Sequence, residues 1–276
     1  MNRSRTIGGI ALALLSGFLL SGSLAQTSTP PATPPAQSTP PAQQDQNRDL
    51  TFKKDKTAPV QTTVQIPRSY ALVIGISHYK NLPQSAQLQY PNVDAESIYT
   101  VLISTEGGQF PAENVHKLID DKATDANIKY ELETWLPSVT HPDDRVLVYF
   151  AGHGFVSNGT AYIAPYDIDL HNIPGTAYPM ETLGKDIGSK INGKWKVLIT
   201  DSCHSGAITP EADRSTVNRT LLDLDKSLFS ITASRDREQS FESDKWGGGH
   251  GIFTYYVVKG LEGEADTNGD GIVSAD

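Results

Sequence analysis

The sequence predicts an α/β fold with a mostly parallel central sheet and helices on both faces. Short apolar runs rich in β-branched residues recur along the chain, and each has the length of a buried strand. Segments with the apolar spacing of amphipathic helices separate these runs. Strands that alternate with helices form parallel sheets with right-handed crossovers. The order of the elements therefore favours this fold class over an all-helical or all-strand architecture.

Five apolar runs are predicted as strands, and four segments between or after them as helices. The strands are 70–76, 114–119, 144–150, 197–199 and 228–233. The helices are 94–103, 124–136, 183–191 and 251–261. Thr124 is a suitable N-cap for the second helix. The remaining segments, including a long excursion at 155–182, are predicted as loops.

Two of the predicted strands end in residues that carry chemistry. The strand at 197–199 leads into Cys203, which is the only cysteine of the chain. The strand at 144–150 leads into His153, which lies between two glycines. The carboxyl ends of parallel strands meet at one edge of a sheet, where ligands bind in open α/β folds. We therefore expect both residues on loops at that edge, side by side.

A thiol beside an imidazole suits nucleophilic catalysis, because the thiolate attacks and a nearby base or imidazolium favours it. One alternative is that Cys203 is a small buried apolar side chain, but the polar residues around it argue against that. His204 is an alternative base, although adjacent residues in a chain tend to point apart. A zinc site built from His153, Cys203 and His204 is the third alternative, and it lacks the usual ligand spacing.

The two motifs resemble those of a known family. Tyr-Phe-Ala-Gly-His-Gly at 149–154 and Asp-Ser-Cys-His-Ser-Gly at 201–206 resemble the catalytic motifs of caspase-like cysteine peptidases, especially metacaspases and their bacterial relatives. The histidine precedes the cysteine by 50 residues, a separation also found in caspases. The resemblance covers about residues 70–263. It implies a caspase-like three-layer sandwich in which the strands of His153 and Cys203 are neighbours.

The resemblance also implies the catalytic roles. Cys203 is expected to attack the scissile carbonyl, and His153 to act as general acid and base. The backbone N–H groups of Gly154 and Cys203 are expected to bind the oxyanion. No cofactor is required for this chemistry.

Two aspartates are expected to bind the substrate. Metacaspase-like enzymes carry an aspartate at the position of Asp201, where it receives the Arg or Lys that precedes the cleaved bond. Asp94 resembles their second pocket aspartate, although the local order of residues differs, and its alternative role is to cap its own helix. For Asp201 the alternative is a solvated or capping carboxylate. The segment 233–242, after the fifth strand, shapes the substrate cleft in the relatives.

Both ends of the chain are predicted to lie outside the peptidase domain, residues 67–265. Residues 1–25 have a basic start, a short apolar run and small residues before the expected cleavage after Ala25, a pattern typical of a secretory signal peptide. The apolar run is short for a membrane span. Residues 26–66, rich in Pro, Thr and Gln, are predicted to be a disordered linker. We therefore expect an exported protein, periplasmic or extracellular, without a stable membrane span after cleavage.

Residues 266–276 resemble the start of an EF-hand calcium loop. Asp266, Asn268 and Asp270 would supply oxygen ligands, and Ca²⁺ is therefore an expected structural or regulatory ion. The alternative is a polar Asp/Gly turn. The closing acidic ligand would be residue 277, so we expect the sequence to be a fragment of a longer chain.

The leading hypothesis is a cysteine endopeptidase that cleaves proteins or peptides after Arg or Lys. A net charge of −9 and a pI of about 5.2 argue against binding to nucleic acid. The first alternative is a catalytically silent relative that binds peptides or partners in the same cleft. The second is a cysteine hydrolase of a non-protein amide or ester. The sequence does not indicate an oligomeric state.

Overall fold

The computed structural model describes residues 67–203, 220, 228–233, 242–269 and 273, and for Cys203 it describes the backbone. All of them lie within one compact unit, Thr62–Asp276. The predicted signal peptide and linker, 1–66, lie outside the described residues.

Five strands form a parallel sheet in the order β2-β1-β3-β6-β7. They are β1 (Ser69–Gly75), β2 (Val115–Ile119), β3 (Arg145–Ser157), β6 (Trp195–Cys203) and β7 (Phe229–Thr232). The sequence predicted all five, although β3 extends seven residues beyond its predicted end and β6 is longer than predicted at both ends. The two central strands, β3 and β6, carry the residues of the two motifs.

The second half of β3 leaves the parallel sheet and pairs antiparallel with β4 (Thr160–Ile163), which in turn pairs with β5 (Tyr178–Pro179). A further antiparallel pair is formed by β8 (Glu242–Ser243) and β9 (His250–Gly251). The sheet is therefore mixed but mostly parallel, as predicted.

Helices cover both faces of the sheet. They are α1 (Pro91–Ile103), α2 (Asp125–Tyr130), α3 (Leu136–Val139), α4 (Ile173–Thr176), α5 (Met180–Lys185) and α6 (Ile252–Lys259). A π-helical turn at Glu131–Trp135 joins α2 to α3. Thr124 caps α2 as predicted, because its hydroxyl accepts the N–H of Asn127 at 3.2 Å.

Alternate side chains of the strands pack into two separate hydrophobic cores, one on each face of the sheet, which confirms the three-layer α/β architecture. On one face, Leu72 and Ile74 of β1 share a core with Ile128 of α2 and Leu183 of α5. On the opposite face, the neighbouring β1 residues pack with α1 and α6; that cluster contains Ala71, Val73, Ile98, Leu102 and Phe253.

Three sequence predictions were wrong in detail. His153 lies within β3 rather than on a loop after it, because its pairing with β6 continues as far as Cys203. From Gly154 to Ser157 the strand then pairs with β4. Cys203 is the last residue of β6 rather than a loop residue. The excursion at 155–182 contains β4, α4 and β5, whose short runs have too few residues to show a period. In the part of the chain that the structure describes, none of the helices has the length and apolar character needed to cross a membrane.

Candidate active site

Two neighbouring parallel strands bring His153 and Cys203 together. β3 pairs with β6 in continuous register, from Arg145 opposite Trp195 to His153 opposite Cys203. The pairing of the strands brings together two residues that lie 50 positions apart in the sequence. The backbones of the two residues are therefore adjacent, as the sequence predicts.

The imidazole of His153 is buried and directs one nitrogen at a backbone carbonyl. Its Nε2 lies 2.7 Å from the carbonyl oxygen of Ala86. A carbonyl oxygen can only accept, so Nε2 carries the hydrogen in this contact. In the neutral ring the lone pair is then on Nδ1. This tautomer makes Nδ1 the nitrogen that can exchange a proton during a reaction.

Tyr79 holds the same histidine at a second point. Its ring stacks on the imidazole with 4.8 Å between centroids and 21° between planes. Its hydroxyl oxygen accepts the backbone N–H of His153 at 2.7 Å. The sequence placed Tyr79 in the first loop and gave no pattern that marks its role, so sequence reasoning missed this residue.

Gly152 allows β3 to change partners beside His153. Its φ of +157° lies outside the usual range for residues with a side chain. A Cβ at this position would lie 2.7 Å from the hydroxyl oxygen of Tyr79. Two residues later, Gly154 is the first residue of β3 to pair with β4, opposite Ile163. The role of the Gly154 N–H as an oxyanion donor stays a prediction.

Asp94 lies in the first turn of α1 and is 2% exposed. Its Oδ1 is 2.8 Å from Nδ1 of His250. Both of its oxygens accept the N–H of Gly251, at 3.1 and 3.3 Å. The N-cap of α1 is Tyr90, which makes no side-chain capping bond. The carboxylate therefore reaches across to the β8-β9 pair, and the alternative that it caps its own helix is wrong.

Asp201 lies on β6, two residues before Cys203, and is also 2% exposed. Its Oδ2 accepts the hydroxyl of Thr254 at 2.7 Å and the N–H of Thr254 at 3.3 Å. Because that hydroxyl donates to Asp201, its oxygen accepts the hydroxyl of Tyr149 at 2.6 Å. Asp201 thus caps the first turn of α6, which is the alternative role that the sequence left open.

The two aspartates converge on Gly251. A Cβ placed on Gly251 would lie 2.6 Å from Oδ2 of Asp201 and 3.0 Å from Oδ2 of Asp94. Burial, and then the negative charge of Asp201, raise the pKa of Asp94 to about 8. A raised carboxyl pKa is expected where two acids share a buried site.

Glu242 adds a third carboxylate that sequence reasoning did not single out. It pairs opposite Gly251 in the β8-β9 hairpin, and its Oε2 accepts the N–H of Gln89 at 3.2 Å. Burial and the charge of Asp201 raise the pKa of Glu242. The only signal in the sequence was that Glu242 falls in the segment 233–242, which shapes the cleft in the resembling family. A two-residue strand leaves no period that would reveal the pairing.

The predicted calcium loop is described only in part. Asp266 and Gly269 form a turn in which Oδ1 of Asp266 accepts the N–H of Gly269 at 2.8 Å, while Asp270 lies outside the described residues. Among the residues that the structure covers, no group of three or more His, Cys, Asp and Glu is arranged to hold a metal ion. Calcium binding by Asp266, Asn268 and Asp270 stays a prediction. His204, the alternative base, also lies outside the described residues.

Comparison with known proteins assigns the fold to a family. A family model described as the caspase domain matches residues 68–271. A structure from Geobacter sulfurreducens is 17% identical, with a TM-score of 0.47, and the match covers 70% of this chain and 81% of that one. The Drosophila initiator caspase Dronc is 10% identical (TM-score 0.41; 69% and 62% covered). A structure of pro-sf-caspase-1 is 13% identical (TM-score 0.44; 72% and 74% covered). No curated protein matches the sequence.

Proposed function

The chain belongs to the caspase domain family, and from this we propose that it is a cysteine endopeptidase that cleaves after Arg or Lys through Cys203 and His153. Family membership supports the function of a cysteine peptidase that acts on proteins. The observation that carries the proposed specificity is the convergence of Asp94 and Asp201 on Gly251.

In the proposed reaction Nδ1 of His153 takes the thiol proton of Cys203, and the resulting thiolate attacks the scissile carbonyl carbon, so that a C–S bond forms. The N–H groups of Cys203 and Gly154 stabilise the oxyanion. Nδ1 of His153 then gives a proton to the leaving amine as the C–N bond breaks, since an amine anion is a poor leaving group. Water, deprotonated by the same nitrogen, hydrolyses the thioester and regenerates the thiol. The Nε2 contact of His153 with Ala86 favours this role, because it leaves Nδ1 as the basic nitrogen.

The proposed pocket uses carboxylates to select a cationic side chain. A guanidinium binds carboxylates through paired, charge-assisted hydrogen bonds. A cation between Asp94 and Asp201 would also offset the repulsion that raises the pKa of Asp94. Glu242 adds negative charge on the third side. An acidic side chain of a substrate would meet like charge there, so cleavage after Asp is disfavoured.

Hydrolysis of fluorogenic peptides that differ only in the residue before the reporter, Arg, Lys or Asp, tests the proposal. We expect cleavage after Arg and Lys, and its loss in Cys203→Ala. Cleavage after Asp would support the peptidase activity and contradict the proposed pocket for Arg or Lys. A folded chain that cleaves no peptide would instead point to a silent binder or to a cysteine hydrolase of another amide or ester.

We further propose that the protein is exported and that Asp266, Asn268 and Asp270 bind calcium. N-terminal mass spectrometry of the protein recovered outside the cytoplasm should find a chain that begins at Gln26. Calcium should raise the thermal midpoint of the wild type and not of Asp266→Ala, since binding to the folded state alone stabilises it. An intact N-terminus, or equal midpoints with and without calcium, would contradict the respective part.

A further inference from the structure

The loop between β1 and α1 is fastened by the side-chain amide of Gln87. Its Oε1 accepts the N–H of Tyr79 at 2.6 Å. Its Nε2 donates to the carbonyl oxygens of Tyr79 and Leu82, at 3.1 and 2.9 Å. A weaker contact joins Nε2 to the carbonyl oxygen of Pro83 at 3.5 Å. The amide thus spans the loop and bonds to its backbone at three residues, and at Tyr79 it binds both the N–H and the carbonyl.

The chemistry of the amide group fixes its orientation. The oxygen faces an N–H and the nitrogen faces carbonyl oxygens. A flipped amide would place two donors against each other and two acceptors against each other. The ends of the loop are fastened as well. The N–H of Leu88 donates to the carbonyl of Ser77 at 2.9 Å, and Asp120 accepts the N–H of Ser77 at 2.7 Å. Between these two ends, the side chain of Gln87 makes hydrogen bonds across the middle of the loop.

The fastened loop carries two residues that contact the imidazole of His153. Tyr79, whose backbone the amide of Gln87 binds on both sides, stacks on the imidazole and accepts the N–H of His153. Ala86, the residue before Gln87, offers the carbonyl that receives Nε2–H. A change in the Gln87 amide would therefore shift both contacts together.

We propose that Gln87 is a positioning residue that holds His153 as the Nε2–H tautomer, with Nδ1 free of hydrogen for proton exchange. The inference deepens the proposed function, because it assigns how the acid/base histidine of that site is prepared. Ring orientation must be maintained to within about 0.5 Å for full activity. The carbonyl of Ala86 also stabilises the imidazolium when the ring takes a second proton, as a hydrogen-bond acceptor on the far nitrogen does in other catalytic sites.

Gln87→Met tests the amide, because methionine has similar length and makes none of these hydrogen bonds. Gln87→Glu is a second test, because its carboxylate can still accept the N–H of Tyr79 but cannot donate to the carbonyls of Tyr79 and Leu82. Gln84→Glu is the matched control, because Gln84 lies exposed in the same loop. We expect kcat for the Arg peptide to fall about 10- to 100-fold in Gln87→Met, with KM changed less than about twofold. Gln84→Glu should match the wild type.

A readout independent of peptide cleavage is the ¹⁵N spectrum of the His153 ring, assigned by its loss in His153→Gln. The wild type should show the Nε2–H tautomer, and Gln87→Met and Gln87→Glu should show mixed tautomers at unchanged thermal midpoint. An Nε2–H spectrum in a folded Gln87→Met variant would overturn the proposal. If Gln87→Met does not fold, an Nε2–H spectrum in a folded Gln87→Glu variant would overturn it. These spectra decide the matter even if the wild type cleaves no peptide, in which case only the proposed function fails.

Discussion

His153 and Cys203 are directly opposite one another in adjacent parallel strands, although 50 residues separate them in sequence. The pairing is one of nine between β3 and β6, so two central strands of the sheet fix the backbone distance between the proposed base and nucleophile. Sites built on strands are more precise than sites on loops. This relationship leads to the first prediction.

His153→Gln should lower kcat for Arg peptides by about 10²- to 10⁴-fold, the contribution typical of acid/base catalysis. The amide can still donate to the carbonyl of Ala86 but cannot exchange a proton at neutral pH. His171→Gln is the control, because the His171 side chain is 98% exposed and should leave kcat unchanged. Steady-state kinetics with both variants measures the difference. Equal loss in the two variants, or none in His153→Gln, would refute the role of His153.

Gly251→Ala should abolish cleavage after Arg while the protein remains folded. The new methyl group would lie 2.6 Å from Asp201 and 3.0 Å from Asp94, in the space where the substrate cation is proposed to bind. Gly251 has a φ of −63°, which alanine adopts without strain. Gly260→Ala, on the same helical segment and with its nearest new contact at 3.4 Å, is the control. Unchanged KM and kcat in Gly251→Ala would show that the substrate cation does not bind at this position.

Binding of a substrate cation should release a proton. With a pKa of about 8, Asp94 is mostly protonated at pH 7, and a cation selects its charged form. The facing groups are Asp201, Glu242 and His250, and burial lowers the pKa of His250. Nα-acetyl-arginine amide binding to Cys203→Ala should therefore release about one proton at pH 7 and tighten about tenfold per pH unit up to about pH 8.

Isothermal titration in buffers of different ionisation enthalpy measures this proton release. The matched variant is Asp94→Asn in the Cys203→Ala background, in which the release should disappear. Binding that releases no proton and has no pH dependence between 6 and 8 would contradict the proposed state of Asp94.

Asp94→Asn should stabilise the fold at alkaline pH while it weakens cleavage after Arg. The pKa of Asp94 is about 8 when folded and about 3.9 when unfolded. The folded state therefore holds the proton more tightly, and stability falls as pH rises from about 4 to about 8 and then levels off. The asparagine does not titrate, so the variant should gain about 4 °C or more in thermal midpoint at pH 8, and little at pH 4.

Asp143→Asn, at an exposed aspartate, is the control for net charge and should not shift the midpoint. Calorimetry at the two pH values makes the comparison. A midpoint for Asp94→Asn below that of the wild type at pH 8 would mean that the buried carboxylate is favourable as a charged group.

Local sequence patterns predicted those parts of the fold that have long runs. β1 is a continuous apolar run with the length of a buried strand, α1 has apolar residues at helical spacing, and Thr124 has the residue type that caps a helix. The two-residue strands β5, β8 and β9 have no period. They are defined by pairing with another strand and not by a local pattern of residues, so sequence reasoning missed them.

The same distinction separates the site residues that were found from those that were missed. Cys203 and His153 stand out because a unique thiol and a Gly-His-Gly triplet follow apolar runs. Tyr79, Gln87 and Glu242 are ordinary residue types in loops or short strands. They contribute to the site through contacts between separate segments of the fold, and no local sequence pattern shows such contacts.

The most direct measurement is covalent labelling by two active-site-directed ketones that differ only in carrying Arg or Asp next to the reactive carbon. Peptide mapping by mass spectrometry identifies the modified residue and the preferred side chain together. The account predicts that the Arg reagent modifies Cys203, that the Asp reagent does not, and that Asp201→Asn slows the reaction by about 10- to 100-fold, the equivalent of one charge-assisted hydrogen bond. Faster labelling by the Asp reagent, or no adduct on Cys203, would contradict it.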